Sequence, residues 1–103
     1  MSLWRRPFAD LVRRQLDLFA EDEAVPLAEA REAEIAWLRT GRDDAEEAYG
    51  DWQLVADAVG ERLLDLRETY AATLDDSAAT KYRTAFDRAA SKRFPRFVAL
   101  LDD

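Results

Sequence analysis

The residues of this sequence whose types and spacing could do chemistry are its carboxylates. They recur at helical intervals as Glu29/Glu32, Asp43/Glu47/Asp51 and Glu61/Asp65/Glu68. Oxygen ligands on facing helices can hold Mg²⁺ or Mn²⁺, and a site of that kind would act on a phosphorylated small molecule. Glu29, Glu32, Glu47 and Asp51 are the set best spaced to form one. A chain with 22 acids produces such pairs by composition alone, however. All of them fall on polar helix faces, whereas a metal needs buried, converging ligands. The expectation is therefore a solvated acidic surface with no metal and no cofactor.

Other routes to catalysis are closed by composition. The sequence has no His and no Cys, which removes the commonest general base, thiol nucleophiles, zinc–thiolate sites and iron–sulfur clusters. Ser2, Ser77 and Ser91 have no His to activate them, and three glycines are too few for a phosphate-cradling loop. The run Glu29-Ala30-Arg31-Glu32 is similar to half of the Mg²⁺ site of the all-helical nucleotide pyrophosphohydrolases. The Glu-x-x-Asp half on the following helix is missing, so the likeness stops short of a metal site.

Bases interleave with aromatics in Lys81-Tyr82-Arg83, Phe86-Asp87-Arg88 and Lys92-Arg93-Phe94-Pro95-Arg96-Phe97. Stacking rings beside cations would suit a nucleic acid, with Arg5, Arg6, Arg13 and Arg14 as further phosphate contacts. Projection on a helix separates the two sets, with Tyr82, Phe86, Phe94 and Phe97 on one face and Lys81, Arg88, Lys92 and Arg96 on the other. The rings read as core and the bases as solvated surface, and a net charge of -7 opposes phosphate at long range. Nucleic acid is not an expected partner.

These residues must be positioned by helices. Three Gly and three Pro among 103 residues, with abundant Ala, Leu, Glu and Arg, predict an all-α chain forming a single helical domain over 1–103. The spacing predicts a first helix near 7–21, with Trp4 extending its apolar face, and a break near 22–25. A second helix follows from Pro26 to about Arg39, closed by a left-handed Gly41. Asp43 and Glu46 resemble a capping box opening a long third helix, 43–75, whose stripe runs Trp52, Ala56, Val59, Leu63, Leu66, Tyr70. A fourth helix, capped by Asp76 or Ser77, ends near Phe94 ahead of Pro95.

Two features point to assembly. A helix of 33 residues would span roughly 50 Å, whereas a compact domain of this size has a radius of gyration near 13 Å. The second helix is also apolar on two sides, with Leu27, Ala28, Ile35 and Leu38 on one and Ala30, Ala33 and Trp37 on the other. The expected architecture is four-helix bundle-like, an antiparallel hairpin with one long helix, dimerised through Trp37, Trp52, Val59, Leu63, Leu66 and Tyr70. Residues 17–76 carry eighteen acids against five Arg, and residues 77–96 carry six bases against one acid. Met1 to Phe8 hold two arginines and no apolar run, which predicts neither a signal peptide nor a membrane span and so a cytoplasmic protein. The expected function is protein–protein interaction by a homodimer, as adaptor, regulator or structural element.

Overall fold

In the computed structural model residues 7–102 are described, and the expectations at Trp4, Arg5 and Arg6 lie outside that range. Four α-helices follow one another: α1 (Ala9–Asp22), α2 (Ala24–Arg39), α3 (Ala45–Ala71) and α4 (Asp76–Arg93). Short 3-10 turns cover Arg42–Asp44, Pro95–Phe97 and Ala99–Asp102.

The boundaries differ from the sequence expectation for local reasons. Phe8 turns the chain into α1 in a left-handed conformation (φ 67°) and lays its ring edge-on to Tyr82, 5.7 Å between centroids, so the helix starts at Ala9 rather than Pro7. A single residue, Glu23, separates α1 from α2. Pro26 does not start α2 but sits third in its first turn, where a backbone N–H has no intrahelical partner to lose. Gly41 is not left-handed. The chain extends at Thr40 (ψ 141°), whose hydroxyl donates to the carbonyl of Ala36, and Gly41 follows at φ -72°.

The capping box at Asp43 does not form. Residues 42–44 make a 3-10 turn, and no side chain caps α3, which begins at Ala45. At 27 residues α3 is shorter than expected, but it runs unbroken through Gly50 and Gly60. The N-cap of α4 is Asp75 rather than Asp76 or Ser77, its carboxylate accepting from the Ala78 N–H at 2.8 Å. The helix then ends at Arg93, as Pro95 requires.

Ring contacts show α1 lying parallel to α4, with Phe8 on Tyr82 and, three turns on, Phe19 on Phe94. Both helices cover the C-terminal half of α3. The core holds Val12, Leu16 and Phe19 from α1, Val59 and Leu63 from α3, Tyr82, Phe86 and Ala90 from α4, and Leu101 from the last turn. The last turns reach α3 at Gly60, where a Cβ would stand 3.1 Å from the Phe97 carbonyl. A side chain there would require the final turns to give by a few tenths of an ångström.

α2 turns back antiparallel along the other half of α3. Between Arg31 and Val55 no residue is fully buried, so the two helices extend from the core as an arm. The molecule measures 54 × 25 × 22 Å with a radius of gyration of 16.0 Å, well above the roughly 13 Å of a compact chain this long.

Candidate interaction surfaces

The arm is held together by three rings. Trp37 of α2 stacks on Trp52 of α3 (5.5 Å, 25°) and meets Tyr49 edge-on at 4.9 Å, with Tyr49 and Trp52 5.8 Å apart. Such pairs contribute about 0.5–1.5 kcal/mol each beyond their buried area. The Trp52 Nε1–H is buried and has no hydrogen-bond partner among the described residues.

This cluster turns α2 over relative to the sequence reading. Ala30, Ala33 and Trp37 form the face directed at α3, joined by Leu27 at the core end. Val25, Ala28, Ile35 and Leu38 are left outside, with Val25 68% and Leu38 70% exposed. On α3 Leu54 is also in solvent.

The six residues expected at an oligomer contact are therefore not brought together. Trp37 and Trp52 are half-buried in the arm, while Val59 and Leu63 have no exposed surface at all, being enclosed by the chain's own core. Leu66 and Tyr70 lie farther toward the opposite end, partly covered, with the Tyr70 ring 4.8 Å from Tyr82. Side chains without exposed area cannot add contact to a second molecule unless the core opens, so the exposed apolar surface is that of Leu18 on α1, Val25, Ile35 and Leu38 on α2, and Tyr49 and Leu54 on α3, most of it on the arm. Its signal in the sequence was the second apolar face of α2.

A shallow groove of about 430 Å³ lies at the other end, between the start of α1 and α4. Pro7, Val12, Ala85 and Ala89 line it, and Lys81, Arg88 and Lys92 stand exposed along its edge. The bases thus face away from the aromatic core, as the helical projection requires. Several other cations are neutralised within the chain: Arg13 by Asp10, Arg62 by Glu23, Arg93 by Asp17 and Arg96 by Glu34.

Arg67 is the buried charged residue among those described, 5% exposed. Its Nη1 donates to Asp87 Oδ1 at 2.7 Å and to the Leu101 carbonyl at 3.0 Å, and its Nε donates to Glu68 Oε2 at 2.9 Å. Arg83 closes the network with two bonds to the Glu68 carboxylate, both 2.9 Å. The hydrogen bond from Arg83, helped by Arg67, holds Glu68 below its ordinary pKa of 4.5 against the opposing effect of burial. Tyr82, whose hydroxyl donates to Gln15 Oε1 at 2.8 Å, is pushed up to about 12 by burial. Through Nε and Nη1, Arg67 ties α3, α4 and the final turn together. This is a structural clamp.

The carboxylates singled out for metal binding do not converge. Glu29, Glu32, Glu47 and Asp51 are all exposed. Among the described residues no three His, Cys, Asp or Glu side chains stand close enough to hold an ion. No helix of the described chain is long and apolar enough to cross a membrane. Comparison with protein families, curated proteins and solved structures gave no match.

Proposed function

We propose that this chain works by protein–protein association, as a cytoplasmic homodimer with an adaptor, regulatory or structural role, and not as a catalyst. The observation that supports this reading is the outer face of α2, where Val25, Ile35 and Leu38 stay in solvent on a helix whose opposite face is already packed. Isolated exposed leucines are ordinary on protein surfaces, but three large apolar side chains along one helix face are a surface suited to a partner.

The test is the molar mass in solution, by light scattering over a concentration series. The expected result is a rise from 11.8 kDa toward twice that value. Leu38→Glu, which changes only an exposed position, is expected to hold the mass at that of one chain. A mass of one chain throughout the series rules out the homodimer.

A further inference from the structure

The groove between α1 and α4 differs in charge from the rest of this acidic surface. No carboxylate lines it among the described residues, although the sequence holds 22 acids. Two grooves of similar size include Asp22, Glu23 and Asp65 in one case and Glu34 in the other. Its floor is apolar and built of small side chains, with Ala9 and Val12 from α1 and Ala85 and Ala89 from α4. Lys81, Arg88 and Lys92 stand exposed along the α4 edge, and none of them has an ion-pair partner among the described residues. At spacings of seven and four residues, the three cations fall within about 40° around the helix and form a line roughly 16 Å long.

We propose that this groove takes an acidic amphipathic α-helix of a partner protein, its large apolar side chains over the alanines and its carboxylates along Lys81, Arg88 and Lys92. The surface is separate from the outer face of α2, so this contact does not rest on the homodimer. Shape and charge select the occupant together. Small side chains on two parallel helices leave room for the larger ones of a third, packed ridge into groove. Carboxylates four and seven residues apart also share one line on a helix, so a partner lying along α4 meets all three cations at once. Charges bordering an apolar contact in this way fix its register and speed encounter.

The net charge of -7 does not cancel the local field. Residues 77–96 carry six bases and one acid, and that acid, Asp87, is bound to Arg67. Charges farther away than the Debye length of about 8 Å are largely screened. A nucleic acid fits the groove less well. Tyr82 and Phe86, the rings that could stack on bases, are enclosed in the core. The Thr80 and Thr84 hydroxyls donate to the carbonyls of Asp76 and Thr80, both at 3.0 Å, and have no proton free for a phosphate. A membrane surface is reached by protruding apolar side chains, whereas this floor is recessed between two helices. Residues 1–6 of the chain itself carry two Arg and no acid, the wrong sign for this edge.

The test is fluorescence anisotropy of a labelled synthetic helix of about 18 residues, leucines on one face and glutamates along its border, titrated with the full chain at low ionic strength. Arg88→Glu and Lys92→Glu together change only exposed positions, and circular dichroism will confirm that the chain stays folded. This variant is expected to bind the peptide about tenfold or more weakly than the unaltered chain. Ala85→Phe, which fills the groove and keeps every charge, is expected to weaken binding as well. A peptide with lysines for glutamates, or with its residues scrambled, is expected not to bind. Equal affinity of the unaltered and charge-reversed chains, or no binding at all, overturns the proposal. So does tighter binding of an oligonucleotide or of phosphatidylglycerol vesicles, which assigns the cations to phosphate. Self-association that the charge reversal abolishes gives the groove to a second copy and overturns it too. A chain of single mass that binds the peptide through these residues supports this contact while ruling out the homodimer.

Discussion

At Glu68 the physical chemistry of one carboxylate becomes a statement about stability. The hydrogen bond from Arg83 lowers its folded pKa below 4.5, so in the folded chain the ionised form is favoured relative to the unfolded one. Its contribution is then fully present above the unfolded value and is lost as pH falls through the folded value. The gap in Tm between the unaltered protein and Glu68→Gln is expected to be constant above pH 4.5 and to shrink below it. Thermal melts followed from neutral pH to about pH 3 measure this, and a gap that persists to the acid end assigns the stability to shape instead of charge. Trp52 offers a second test at this scale. Its indole N–H is a buried donor without a partner, and a donor left unpaired costs about 1–3 kcal/mol. Trp52→Phe keeps a ring against Trp37 and removes the donor, so its Tm is expected to lie within a few degrees of the unaltered chain. Trp52→Ala abandons the stack and is expected to lose about 2 kcal/mol or more.

The helices themselves follow from periodicity, and their number, order and approximate limits can be read from the sequence. What cannot be read is which of two apolar faces on α2 turns inward. Leu27, Ile35 and Leu38 outweigh Ala30 and Ala33 in hydrophobicity, but small residues allow α2 and α3 to approach closely, and Trp37 then finds Trp52 and Tyr49. The burial of Val59 and Leu63, two of the residues expected at an interface, has a related reason: they are covered by α1 and α4, and coverage depends on topology that a single helix projection does not contain. Gly41 looked like a helix terminator because of its type, whereas Thr40 ended the helix through its backbone and hydroxyl. α3 runs unbroken through Gly50 and Gly60, yet the two positions differ. A Cβ at Gly50 meets nothing within 4 Å, while at Gly60 it meets the Phe97 carbonyl at 3.1 Å. Gly50→Ala is expected to stabilise by about 0.5–1 kcal/mol through helix propensity, raising Tm by several degrees. Gly60→Ala is expected to melt below Gly50→Ala, because the last turns must shift to admit the methyl group. Equal melting temperatures would mean that those turns yield without cost.

On the scale of the whole molecule, stability is unevenly distributed along α3. Its C-terminal half is enclosed by α1, α4 and the final turns, while its N-terminal half meets α2 and a cluster of half-buried rings. Local opening is cheapest where few apolar contacts must be broken, so the arm is expected to open well below the free energy of global unfolding. Hydrogen exchange on the monomer should then show amides of 36–50 exchanging through openings of lower free energy than those of 59–67. Association changes this pattern in a specific way. On the homodimer reading, a second copy that seats on the outer face of α2 would bind the closed arm and not the open one, and so would add protection that grows with protein concentration. The arm amides are expected to slow as concentration rises while those of 59–67, already limited by the core, change less. Protection of the arm that equals that of the core in the isolated chain would mean that the ring cluster alone makes the molecule one cooperative unit. In that case the exposed face of α2 would contribute nothing to folding stability, and its large apolar side chains would answer to binding alone.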